Sequence, residues 1–156
     1  MQNSSLSYSR QFISNKDIDR VKSVLKSNLI TQGQKVSLFE KKISNKFGSK
    51  YTSVFSSGTA ALHILGMALN WSKKDKIITT PITFLASSNC ILYSGARPDF
   101  VDINNNSYTI DVNKTVDFIN NETHTIKQKK FGNNFFITVN NKTGNRITAI
   151  IVVHVF

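Results

Sequence analysis

Cys90 is the single cysteine of the chain. That excludes a disulfide framework within it and argues against zinc held by thiolates. Its small and apolar neighbours mark Cys90 as a buried structural thiol. The three histidines, His63, His124 and His154, fall in different segments and share no metal-ligand spacing, so no metal site is expected. No apolar run approaches the roughly 20 residues needed to cross a bilayer, and Met1 to Arg10 is polar and unlike a secretory leader. A reduced, cytoplasmic setting without a membrane partner is the expectation. Acidic residues are scarce, nine against twenty Lys and Arg, which gives a net charge of +11 over 156 residues. Such a surplus favours anionic partners, although a Lys- and Asn-rich composition is the plainer account. The densest basic run, Lys127 to Lys130, is short and lacks interleaved aromatics, so nucleic acid is not the expected partner.

What is present is core material. Hydrophobic residues make up 40% of the chain, with eleven Phe, and the length suits one domain. Ser14 to Ser27 reads as a helix, with Ser14 as N-cap and Asp17 three positions on, close to a capping box. Ile18, Val21, Val24 and Leu25 then recur at helical spacing. "NLITQGQ" breaks the pattern around Gly33. Val36, Phe39, Ile43 and Phe47 restore it, and Gly48 ends it.

From Tyr51 short apolar runs alternate with helical segments. Tyr51–Phe55, Lys76–Thr80 and Arg97–Val101 read as strands. Thr59–Leu69, Phe84–Tyr93 and Val112–Asn120 read as helices, the last started by Asp111. This alternation predicts βαβ units and a mostly parallel sheet covered on both faces. Asn121 to Arg146 departs from it and reads as a hairpin-like excursion, with "KTGN" as a turn and Phe135–Val139 apolar. Ile147–Val155 reads as a fully buried strand. The sequence stops on that strand, and a parallel strand needs covering elements after it, so the chain reads as a fragment. The expected division is an N-terminal helical arm, 1–48, and a partial large domain, 49–156, with the excursion at 121–146.

Ligands of a parallel α/β sheet sit outside the carboxyl ends of its strands. Three stretches take that place. In "SSGTAALHI", Ser57, Gly58 and Thr59 lie where a run of small residues opens a helix. Free N–H groups and the helix dipole make such a start an anion site; a tight turn with Ser and Thr as caps is the alternative. In "TTPITF", Pro81 holds Thr80 extended. Phe84 then opens a helix at the ligand edge, where it either stacks on a flat ring or fills the core. In "VDINNNSYTID", Asp111 reads as a helix cap. His154 closes the last strand at the ligand edge. No nucleophile–base constellation is evident.

Together, "NLITQGQ", "SSGTAALHI", "IITTPITFLASSNCILYSGARPDFVDI" and "AIIVVHVF" resemble the DegT/DnrJ/StrS family of sugar aminotransferases, over about Tyr8 to Phe156. The resemblance implies the large domain of the aspartate-aminotransferase fold, α/β with a mostly parallel sheet flanked by helices and here incomplete. It implies pyridoxal 5′-phosphate as cofactor. It places Gly58, Thr59 and Ala60 at the cofactor phosphate and Phe84 on the pyridine ring. Tyr8, Asn28, Leu29, Ile30, Thr31 and Ser57 match positions that contact the nucleotide sugar. The stretches before and including "TTPITF" are similar to transaminases of pseudaminic acid synthesis. The excursion is more similar to those of the legionaminic acid pathway. Both imply amination at C4 of a UDP-linked 4-keto-6-deoxy-N-acetylhexosamine, usually from glutamate, by a homodimer; a perosamine-type enzyme acting on a GDP sugar is the nearest alternative that the resemblance offers.

The family's Schiff-base lysine and its aspartate at the pyridine nitrogen fall beyond Phe156, so the resemblance assigns no catalytic residue in this chain and implies that it is inactive alone. Two other readings stay open: a sugar dehydratase or regulatory member of the same family, and a basic nucleic-acid-binding α/β module.

Overall fold

The computed structural model describes residues 9–130 and 133–154. The chain divides into two compact units, Met1–Val54 and Phe55–Phe156.

The first unit is a pair of helices. Helix α1, Asn15–Leu25, starts on a capping box. The Asp17 N–H donates to Ser14 Oγ at 3.4 Å, and Asp17 Oδ2 accepts the Ser14 N–H at 2.9 Å. These bonds hold the Asp17 carboxyl below the usual carboxylate range, with the Ser14 hydroxyl the main cause. Helix α2, Gln34–Phe47, ends on Gly48, whose φ of 67° is left-handed and suits a residue without Cβ. No residue of either helix is buried among the described residues. Their apolar stripes, Ile18, Val21 and Leu25 on α1 and Phe39 and Phe47 on α2, stay exposed. The Val54 N–H donates to Glu40 Oε1, which ties the end of the unit to α2.

Tyr51–Phe55 forms no strand, contrary to the sequence reading. Its composition suits a strand, but a strand exists only through a partner. None of the described strands pairs with this segment.

The second unit is a five-stranded sheet with helices on both faces. Helix α3, Gly58–Ala68, leads to β1, Asp75–Thr79. Helix α4, Ala86–Tyr93, follows, then β2, Arg97–Phe100, and α5, Val112–Glu122. Asp111 caps α5 as its position suggested, accepting the Lys114 N–H at 3.0 Å. Strands β3 (Thr123–Lys130), β4 (Asn133–Asn140) and β5 (Arg146–Ile150) complete the order β2-β1-β5-β4-β3. Strand β1 is parallel to both β2 and β5, while β4 is antiparallel to β5 and β3. The excursion is therefore larger than its apolar half. Thr123–Lys130, which the sequence placed in the hairpin-like excursion without marking it as a strand, pairs along its whole length with Asn133–Asn140. The "KTGN" turn joins β4 to β5, which pair antiparallel, as its place between two apolar runs suggested.

The core follows from the alternation of β1. Ile77 packs with Trp71, Cys90, Ile91 and Ala96 on one face. Ile78 packs with Val101 and Ile110 on the other, against Phe118 and Ile119 of α5. Each such isoleucine contributes about 1.5–3 kcal/mol of burial. Cys90 is fully buried, and burial pushes its thiol pKa up. Strand β5 is half-buried rather than fully buried, since its Thr148 and Ile150 are exposed.

Candidate functional site

The start of α3 is built by three small residues. Ser57 has extended backbone and serves as N-cap, its Oγ accepting the Ala60 N–H at 3.1 Å. The Ala61 N–H goes to the Ser57 carbonyl. The N–H groups of Gly58 and Thr59 make no hydrogen bond to another described residue. They point out of the N-terminus of an eleven-residue helix with no acidic residue in its first turn. A Cβ added at Gly58 would meet nothing within 4 Å, so the space beside this residue is open. Two orphan donors, a positive helix end and an open approach are what a phosphate group requires. Of the expected trio, Gly58 and Thr59 offer amides, while Ala60 gives its own to the cap. Ser57 spends its acceptor on that cap and keeps its O–H to donate.

Phe84 stands beyond the carboxyl end of β1 with 78% of its surface exposed. It is not a core residue. Nor does it open α4, which begins at Ala86; its carbonyl accepts the Ser87 N–H at 3.0 Å, and Thr83 Oγ1 lies 2.8 Å from Ser87 Oγ. The turn thus fixes the backbone and leaves the ring to solvent. An exposed aromatic at this edge has a free face on which a flat ligand can stack.

Asn28, Leu29 and Ile30 line a cavity of about 390 Å³ in the first unit, with Ser27, Gly33 and Gln34. Ser27 Oγ donates to Val24 O at 2.7 Å and fixes the loop to α1. Gly33 is required here, since a Cβ would fall 2.8 Å from the Leu29 carbonyl oxygen. Thr31 lies exposed in the same loop and does not line the cavity. Tyr8 lies outside the described residues.

Asp102 and His63 have structural partners. Asp102 Oδ2 accepts from Lys114 Nζ at 2.9 Å, which holds the Asp102 carboxyl low and raises Lys114. His63 packs against the Tyr93 ring. His154 lies four residues past the end of β5 and is exposed, so it does not close that strand. No group of three or more His, Cys, Asp or Glu could hold a metal among the described residues. One feature escaped the sequence reading. Thr80 is fully buried, its Oγ1 has no partner, and it lines a cavity of about 270 Å³ with Pro81, Thr83, Leu85, Ser88 and Phe100. Only "TTP" signalled it, and that motif speaks of backbone shape, not of an orphan hydroxyl.

Comparison with known proteins bears on this geometry. Residues 11–156 match the profile of the DegT/DnrJ/EryC1/StrS aminotransferase family. The UDP-4-amino-4,6-dideoxy-N-acetyl-beta-L-altrosamine transaminase of Campylobacter jejuni is 41% identical over 100 residues, 64% of this chain and 26% of that protein. Helicobacter pylori PseC, an aminotransferase of pseudaminic acid biosynthesis, superposes with a TM-score of 0.71 at 31% identity, over 94% of this chain and 33% of its own. A sugar aminotransferase from Streptococcus pneumoniae, Spr1654, gives 0.67 at 29% identity, over 71% and 28%. The chain thus spans about a quarter to a third of the length of these relatives. Spr1654 has been solved in PMP, PLP and apo forms, which supports pyridoxal phosphate as the cofactor. The open amides of Gly58 and Thr59 fit its phosphate.

Proposed function

The chain belongs to the DegT/DnrJ/EryC1/StrS aminotransferase family, and on that premise we propose that it supplies the cofactor-phosphate cradle and nucleotide-sugar contacts of a pyridoxal-phosphate sugar aminotransferase. The substrate class is a UDP-linked 4-keto-6-deoxy-N-acetylhexosamine, aminated at C4 with glutamate as donor, by a cytoplasmic homodimer, for surface polysaccharide or nonulosonic acid synthesis. The observation that carries this is the start of α3, with two amides unpartnered among the described residues and open space beside Gly58.

When bound, the cofactor carries the amino group and serves as an electron sink. The N–H groups of Gly58 and Thr59 hold its phosphate, and the dipole of α3 adds to their pull. The Ala60 amide keeps Ser57 in its capping rotamer, so the Ser57 hydroxyl is aimed before substrate arrives. Phe84 would lie against the flat ring and shield it from water. Tyr8, Asn28, Leu29, Ile30, Thr31 and Ser57 contact the nucleotide sugar. The surplus positive charge draws in a substrate that carries two phosphates. No residue of the chain matches the family's proton-shuttling lysine, so residues 1–156 alone transfer no amino group.

Gly58→Val tests the cradle. Its side chain meets nothing in the fold and fills the approach to the amides. Equilibrium dialysis uses pyridoxamine 5′-phosphate, which has no aldehyde to react with surface lysines. Binding falls tenfold or more in the variant while the melting temperature stays within a degree or two; equal binding by both proteins refutes the assignment. Transfer of labelled nitrogen from glutamate to the keto sugar by the 156-residue chain would refute its inactivity.

A further inference from the structure

A second cavity, of about 530 Å³, lies in the β3–β4 part of the second unit. It sits at the amino ends of β1 and β5: Lys74 immediately precedes β1, and Arg146 is the first residue of β5. Thr80 and Phe84 follow the opposite, carboxyl end of β1. The cavity therefore has no part in the phosphate cradle or the aromatic platform.

Its rim is cationic. Lys73 and Lys74 are exposed and make no ion pair with any described residue. Arg146 Nη2 lies 2.7 Å from Asp75 Oδ1, and Arg146 Nε is buried without a hydrogen bond. Asp75 is itself buried, its other oxygen accepting the Ser72 N–H at 2.9 Å and the Ser72 hydroxyl at 2.7 Å. Three cations, Lys73, Lys74 and Arg146, thus face one carboxylate, a surplus of two positive charges. Glu122, the acidic residue that ends α5, is engaged by Lys142 at 2.9 Å. The lysine turn is also fixed in place. Asn145 Nδ2 donates to the Lys73 carbonyl at 2.9 Å, and the Arg146 N–H donates to the Lys74 carbonyl at 2.8 Å. A fixed backbone leaves only the lysine side chains to be ordered when they capture an anion.

The floor differs in character. Ile126 and Ile137 stand opposite each other in register, and Val139 lies buried beside them. Gln128 is two positions along β3 from Ile126 and so on the same face. An apolar two-strand surface next to a divalent positive rim suits neither a bare inorganic ion nor an apolar molecule.

We propose that this cavity binds a phosphate ester with at least two negative charges carried on a flat body, of the nucleoside diphosphate class, as a site separate from the cofactor end of the sheet. The phosphates lie between Lys73, Lys74 and Arg146, and the flat body lies on Ile126 and Ile137.

ADP serves as the probe, chosen because a uridine-nucleotide site elsewhere in the chain would not select it. Amide shifts of the ¹⁵N-labelled full chain are followed with ADP, inorganic pyrophosphate and adenosine. Saturable shifts at Gln128 and Thr143–Arg146 with ADP, at least fivefold weaker binding of pyrophosphate and none of adenosine are expected. The exposed pair Lys73→Gln/Lys74→Gln weakens ADP tenfold or more. The charge-matched pair Lys16→Gln/Lys22→Gln on α1 changes it by less than twofold. Equal weakening in the two double variants, equal binding of pyrophosphate and ADP, or no saturable shift at the cavity each overturns the proposal. The Gly58→Val variant should bind ADP like the wild type, so the cradle and this cavity fail or stand separately.

Discussion

Gly66 illustrates how one missing carbon sets a packing distance. It sits inside α3, where Ala would ordinarily favour a helix by about 1 kcal/mol. Here it is buried, and an added Cβ would press on Ser94 and fall 2.8 Å from the Trp71 ring. The ring is wedged in the core beside Ile77 and Cys90 and has nowhere to turn. Gly66→Ala is therefore expected to lose stability, by about 1–3 kcal/mol from overpacking. A urea titration reads this directly: a raised midpoint would show that the α3–Trp71 contact is loose. The same residue scale explains what the sequence disclosed of the candidate site. Gly58 and Thr59 were legible because helix-start chemistry is local, and their amides need no distant partner to be orphaned. Whether Phe84 is core or platform was not legible, since composition favours either. That choice depends on which neighbours arrive, and in the structure none covers the ring.

Helix ends were legible in sequence for the same local reason. Ser14, Gly48 and Asp111 take the capping places that their spacing indicates. Less visible was the end of α3, where Asn70 adopts a left-handed φ of 55°. The Trp71 N–H returns to the Gly66 carbonyl and the Asn70 N–H to that of Met67, a paired closure that swings Trp71 into the core. Asn70→Gly should hold or slightly raise the melting temperature. Asn70→Ala should lower stability by about 1 kcal/mol, because alanine keeps the Cβ but loses the short polar side chain that lets asparagine tolerate a left-handed φ. Equal melting curves would mean that Trp71, not the backbone, sets this turn. Strands were harder. Tyr51–Phe55 has strand-forming residues but no partner, whereas Thr123–Lys130, with three lysines, pairs over eight residues. Strand identity lies in the neighbour, and a single sequence shows only one side of the ladder.

Across the whole second unit the mixed sheet has a topology that periodicity could not supply. Alternating helices and strands correctly indicated helices on two faces and parallel pairing of β1 with β2. The antiparallel half, β5-β4-β3, came from a segment whose rhythm had already broken. Its position matters because β1 completes its parallel pairing only with β5, and Thr79 Oγ1 meets Ile151 O across 72 residues of chain. Closing so long a loop directly is entropically slow. The hairpin offers a shorter route. Strands β3 and β4 meet through neighbouring residues, and β4 then lays β5 alongside itself before β1 is engaged. The excursion is therefore expected to act as a template that brings β5 into strand form and docks it as a unit. Kinetic analysis should find that Val139→Ala slows folding, whereas Ala149→Gly chiefly speeds unfolding. The reverse pattern would place the β1–β5 pairing first. On a ribosome, β1 would wait as an open edge until the hairpin has emerged, and that interval is when a nascent chain is most exposed to mispairing with its neighbours.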